Sequence, residues 1–328
     1  MGSFSGDFET AARELWETIH FAGARPGYSR SNFDREIDRR FGARIRLGAT
    51  SGYYNLFMGH VVVDEARTVD QYGHTANVRF VVLDFMVSNG YQSWFWDGRQ
   101  AAGGWADEST ITQVRGPYAD DGFEAWEKLT DPTERNESEK EQREMTLRDE
   151  SIAKANSFAY LEGLRLRLTA KANHRILDAL NDRGLEGVGL QLAFMKELEQ
   201  RIQESSIFAH EGRHLIDRRI GGLGRLFRRG SEVEFRAKLS EVAFAPDPYL
   251  AFGAIINRSI GDRTSHGIAN QRIMKGIVAW IGKHSDEIAT LDLSRPLLPQ
   301  LDLLEPDQIR AIFRSMDPLA ARGRRGIS

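Results

Sequence analysis

The chain has 328 residues, 41% of them hydrophobic, a formal net charge of −3 at pH 7 and no cysteine. That is apolar material for one large domain or two ordinary ones, with no global basic field to argue for nucleic acid. The lack of thiols excludes disulfides and thiolate-bound metals, leaving His, Asp and Glu as ligand types. No apolar run approaches the roughly 18 to 20 residues of a membrane-spanning helix. The first 21 residues lack the basic and apolar regions of an export signal, so the sequence as written reads as cytoplasmic, or as exported if a signal has been removed.

In chain order, Asp7–Phe21 carries apolar residues at helical spacing, and Ser31–Phe41 opens on an N-cap serine and stops before Gly42; both read as short helices. The periodicity then changes. Segments beginning at Ala43, Gly52, Ala76 and Ser109 are rich in Val, Ile, Tyr, Phe and Thr with breaks at Gly or Asn, as in strands of an antiparallel sheet. Within this region Tyr91, Trp94, Phe95, Trp96 and Trp105 lie among glycines, a pattern that serves either core packing or a recognition platform. His60 and His74 have no carboxylate at a recognised ligand spacing and read as ordinary histidines.

Residues 130–150 are charged and nearly free of apolar side chains. They open with the Asp131-Pro132 turn signal, continue as an exposed helix and mark the domain boundary. Beyond them Ile152–Leu180 shows one helical stripe, the glycines at 184–189 break it, and a helix over 190–203 follows. The expected architecture is α+β. A β-rich domain over 1–129 is joined by the 130–150 segment to a mainly helical domain over 151–328.

The chemistry centres on Ser205–Arg219, which contains His210, Glu211 and His214 in the order H-E-x-x-H. Residues four apart stack on one helix face, so both imidazoles can face one metal ion with the Glu beside them as a base. A chain of this composition contains the pattern by chance on the order of once in a hundred. Ser231 then opens a helix bearing Glu234 and Glu241 close to one face. Two roles compete for Glu234: a third metal ligand, or the return half of a Ser231-x-x-Glu234 capping box. In the second case Glu241 is the next ligand candidate; in the first it hydrogen-bonds a ligating histidine.

The motif, followed twenty residues after His214 by Glu234 within E-F-R-A, resembles the gluzincin class of zinc metallopeptidases, which includes the thermolysin-like enzymes. The resemblance spans about Ser205–Trp280. It implies a zincin-like helical domain, a Zn²⁺ held by His210, His214 and Glu234, Glu211 as general base, and a peptide or protein as substrate. His266, preceded by Asp262, is similar to the His and Asp pair with which thermolysin-like enzymes stabilise the oxyanion; helix capping by Ser265 or His266 competes for the same residues. Lys238 departs from the pattern, because thermolysin-like sequences carry an Asp there that orients a zinc-binding His. Asp217 or Glu241 is left to supply that carboxylate. The rival reading is a binding or regulatory module with a structural or degenerate metal site and an aromatic recognition domain. The Arg218, Arg219, Arg225, Arg228 and Arg229 cluster reads as a solvated loop or a grip on an acidic substrate before it reads as a nucleic-acid contact.

Overall fold

The computed structural model describes residues 43–50, 53–88, 95–96, 104–106, 109–114, 121–155, 159–220, 230–256, 260 and 262–323. The two leading helices, Tyr91, Trp94 and Arg225, Arg228 and Arg229 lie outside these residues. The fold is mixed α+β, with strands preceding helices. Contacts divide it into two compact units. One takes residues up to Arg67, Val78–Trp105 and Thr110–Ala119; the other takes Thr68–Asn77, Ala106–Ser109 and Asp120–Ser328.

Among the described residues six strands form one sheet: β1 (Ala43–Thr50), β2 (Tyr53–Gln71), β3 (His74–Ser88), β4 (Phe95–Trp96), β5 (Gly104–Ala106) and β6 (Thr110–Val114). Their order is β1-β2-β3-β6-β5, with β4 also on β3. β1 and β2 pair antiparallel from Ala43↔His60 to Thr50↔Tyr53. The expected purely antiparallel sheet is corrected at β6, which runs parallel to β3 from Arg79↔Thr110. Residues 89–109 separate these strands, enough chain to return to the starting end, as a parallel pair requires. Tyr72 and Gly73 turn β2 into β3 with φ of 54° and 79°, the signs a two-residue type I′ hairpin demands. In the first unit Val81, Leu83 and Val114 are buried, and Trp105 packs against them. This places one of the aromatic residues in a core.

The second unit is helical: α1 (Asp121–Thr130), α2 (Pro132–Ala155), α3 (Glu162–Asn181), α4 (Gly187–Ile202), a π-helical stretch (Gln203–Ala209), α5 (His210–Arg219), α6 (Gly230–Ala243), α7 (Pro248–Ile255), α8 (Ser265–Lys283), α9 (Pro306–Met316) and α10 (Pro318–Gly323). Asp131 caps α2, accepting from the Thr133 and Glu134 N–H groups at 2.8 and 3.1 Å. The charged 130–150 stretch therefore lies in a long, mostly exposed helix. The single stripe expected over Ile152–Leu180 is instead two helices, α2 ending at Ala155 and α3 starting at Glu162. α3 folds back so closely that a Cβ on Gly163 would lie 2.7 Å from backbone atoms of Met145 and Thr146. Asp149 on α2 accepts from the Leu164 N–H at 2.7 Å, capping α3 from a neighbouring helix. The core joins α3, α6, α7, α8 and α9 through residues such as Leu168, Leu239, Phe252, Ile277 and Phe313. No helix among the described residues is long and apolar enough to cross a membrane.

Gly163→Ala is expected to destabilise the protein by about 1 to 3 kcal/mol, since the added methyl meets backbone rather than a movable side chain. A shift of the urea midpoint to lower concentration checks this, and an unchanged midpoint contradicts the close approach.

Candidate functional site

The site is built on α5, which continues from the π-helical stretch with no break in the chain of helical residues. A π turn holds an extra residue and so changes the rotation at which the next helix begins. The carbonyl at this junction, on Ala209, accepts from Gln71 Nε2 at 2.7 Å. Val69, also in the hairpin tip, packs against Gly212, where a Cβ would come within 2.6 Å of a Val69 methyl. Arg219 donates to the Asn77 carbonyl at 3.1 Å and Arg218 to the Ala106 carbonyl at 3.3 Å. Two members of the arginine cluster are thus engaged with backbone.

Another face of α5 is held by charge. Arg213, 1% exposed, donates through two nitrogens to Asp317 at 2.5 and 2.9 Å, to Asp217 at 2.9 Å and to Ser240 at 3.0 Å. Asp217 also faces Arg236 at 3.2 Å. Its carboxylate is committed to arginines, so the orienting role considered for it falls to Glu241, whose Oε2 lies 2.9 Å from His210 Nδ1. That contact fixes the ring and leaves Nε2 to face the site.

On the remaining face the residues singled out from the motif come together. One ligand atom each from His210, Glu211 and His214 lies within 4.8 Å of the others, and the two imidazoles meet edge to face with centroids 5.0 Å apart. Glu234 reaches over from α6, with Oε2 3.5 Å from His210 Nε2 and Oε1 3.9 Å from His214 Nε2. Its Oε2 is buried without a hydrogen-bond partner. Ser231 lies inside α6, one residue past its start, and Glu234 is turned toward the histidines. His266 joins from the first turn of α8, its Nδ1 3.2 Å from Glu234 Oε2 and its side chain 56% exposed. Capping of α8 falls to Thr264, whose hydroxyl accepts from the Gly267 N–H at 3.0 Å. Asp262 accepts from the Thr264 N–H at 3.0 Å, and no hydrogen bond among the described residues joins it to His266.

These contacts set the charges. Burial alone would lower the His210 pKa, but the Glu234 and Glu241 carboxylates outweigh it and raise the value to about 10. Burial and the positive His210 push His214 down to about 3. Glu234 is lowered to about 2 by His210, against the effect of its own burial. Burial raises Glu211, opposed by His210 and by the Ala106 N–H that bonds its carboxylate. At neutral pH His210 is therefore protonated, its charge held between the Glu234 and Glu241 carboxylates.

Imidazole and carboxylate groups gathered in this way could hold a divalent cation. The Glu234 oxygens lie 3.5 and 3.9 Å from His210 Nε2 and His214 Nε2, a little wider than the roughly 3.3 Å between ligands bonded at about 2.0 to 2.1 Å in a tetrahedron. An orphaned buried carboxylate oxygen points the same way. Comparison with protein-family models, characterised proteins and solved structures gives no match.

Two outcomes follow from the geometry. Asp317→Ala leaves Arg213 with one counter-charge fewer in the interior and is expected to cost about 3 to 5 kcal/mol in denaturant unfolding. Cation binding must expel the His210 proton. Because that pKa is raised, the proton is present throughout the neutral range, so zinc affinity should rise about tenfold per pH unit from pH 6 to 8 with release of about one proton. Calorimetry in buffers of different ionisation enthalpy reads both; affinity that levels off above pH 7 contradicts the charge state.

Proposed function

We propose that this chain is a zinc-dependent peptidase with a zincin-like helical unit of the gluzincin kind. His210, His214 and Glu234 would hold the metal. The observation that carries the reading is the Glu234 carboxylate spanning both imidazole Nε2 atoms while Glu241 orients His210 from behind. When bound, zinc supplies Lewis-acid polarisation of a carbonyl and lowers the pKa of water towards about 7.

Glu211 does the proton work. It lies in the same group of ligand atoms as the two histidines, and burial keeps its basicity above that of an ordinary carboxylate. Its carboxylate accepts a proton from the attacking water and delivers it to the departing amine. His266, largely exposed and with Nδ1 3.2 Å from Glu234 Oε2, is the candidate to donate to the oxygen on which negative charge develops. Three protein donors with a carboxylate base beside them favour a catalytic over a structural site, which closes its metal with four protein ligands.

Two substitutions test this. Glu211→Gln should retain stoichiometric zinc and lose about 10²- to 10⁴-fold in peptide turnover, whereas His214→Ala should lose the metal. Wild-type peptide cleavage by Glu211→Gln would sink the mechanism. Stoichiometric zinc with no hydrolysis of a peptide library would leave the binding-module reading.

A further inference from the structure

α4, the π-helical stretch and α5 follow one another without a break from Gly187 to Arg219. Phe194, Leu198 and Ile202 are buried on α4, so the rotation of that helix about its axis is fixed before the chain reaches the motif. A regular α-helix turns about 100° per residue. The wider π turn takes up an extra residue, so α5 starts about one residue's rotation away from where an unbroken α-helix would place it. His210 marks the change. Its N–H reaches back to the carbonyls of Ile207 and Ser205, the second five residues away.

Such a stretch interrupts the regular backbone ladder, and carbonyls at its ends need another donor. Two buried side chains supply one. At the start the Ser205 hydroxyl donates to the Arg201 carbonyl at 2.8 Å and lies 3.3 Å from that of Ile202. At the end Gln71 Nε2 donates to the Ala209 carbonyl at 2.7 Å, from a strand 138 residues upstream. Gln71 Oε1 is buried without a hydrogen-bond partner. A carboxamide buried with its acceptor unmatched is a poor source of stability. Its placement is accounted for by the carbonyl it holds, which directly precedes His210. We propose that Gln71 and Ser205 are positioning residues for the metal cluster: they hold the π-helical stretch at its two ends and so set the rotation at which α5 presents His210 and His214 to Glu234. Regular α geometry in its place turns both imidazoles by about 100°. This rests on the metal-binding part of the peptidase reading and adds what the fold must supply to form that site.

The test is calorimetric titration of the full chain with zinc ion alone. Gln71→Met and Ser205→Ala each remove one donor with little change of shape. Both should weaken zinc binding about 10- to 100-fold, as loss of an orienting partner does at metal sites. Gly163→Ala, which disturbs the same helical unit where α3 meets α2, should bind zinc as wild type does. Wild-type affinity in both donor variants would overturn the proposal. So would an equal loss in Gly163→Ala, because the two donors would then serve stability alone. Should Gln71→Met fail to fold, Ser205→Ala carries the same test. If the wild-type chain takes up no zinc, the metal reading fails by itself, and crystal structures of the variants decide the positioning role. An α5 turned about its axis, with the contact between His210 and Glu241 broken, supports it; a cluster left in place overturns it.

Discussion

The structure depends on Arg213. It stands between the two histidines in sequence but on another side of α5, and it meets Asp317 through two nitrogens in the interior. Asp317 in turn accepts from the Leu319 N–H at 2.9 Å and starts α10. One guanidinium thus ties the motif helix to the far end of the chain and, through Ser240, to α6. Buried ion pairs are poor sources of net stability but strict about geometry, because any other rotation of the helix strands a charge. Fixing Arg213 inward fixes His210 and His214 outward, toward Glu234.

The site follows from that rotation and from a second one. α6 presents Glu234 and Glu241 on one stripe, and both carboxylates converge on His210, one at each ring nitrogen. Their combined field makes His210 basic, while burial, with the His210 charge adding to it, makes His214 the opposite. Two imidazoles one helical turn apart therefore differ in proton affinity, and the carboxylates of the neighbouring helix at His210 contribute much of that difference.

Much of this was legible in the sequence where the information is local. H-E-x-x-H states its own geometry, because helix periodicity fixes which residues share a face. The spacing on α6 allows Glu241 to bond a ligating histidine and leaves Glu234 two competing roles, ligand or cap. What stayed hidden joins distant segments. Nothing in the periodicity reveals the π-helical stretch, the bond from Gln71 to Ala209 or the reach of Arg213 to Asp317. Asp217 looked available for the histidines, and only three-dimensional packing shows it committed to arginines. The stripe over Ile152–Leu180 read as one helix because a sharp reversal at a close helix crossing leaves the apolar spacing intact.

Gly212 occupies the first of the two positions that the H-E-x-x-H pattern leaves free. Metal chemistry places no demand on it, yet the contact with Val69 leaves no room for a β-carbon. In this protein the spacer is read by a hairpin far upstream rather than by the ion. The two positions behave as one steric unit, in which a larger residue on the helix needs a smaller one on the strand. The freedom of a short motif is thus set by the fold that carries it.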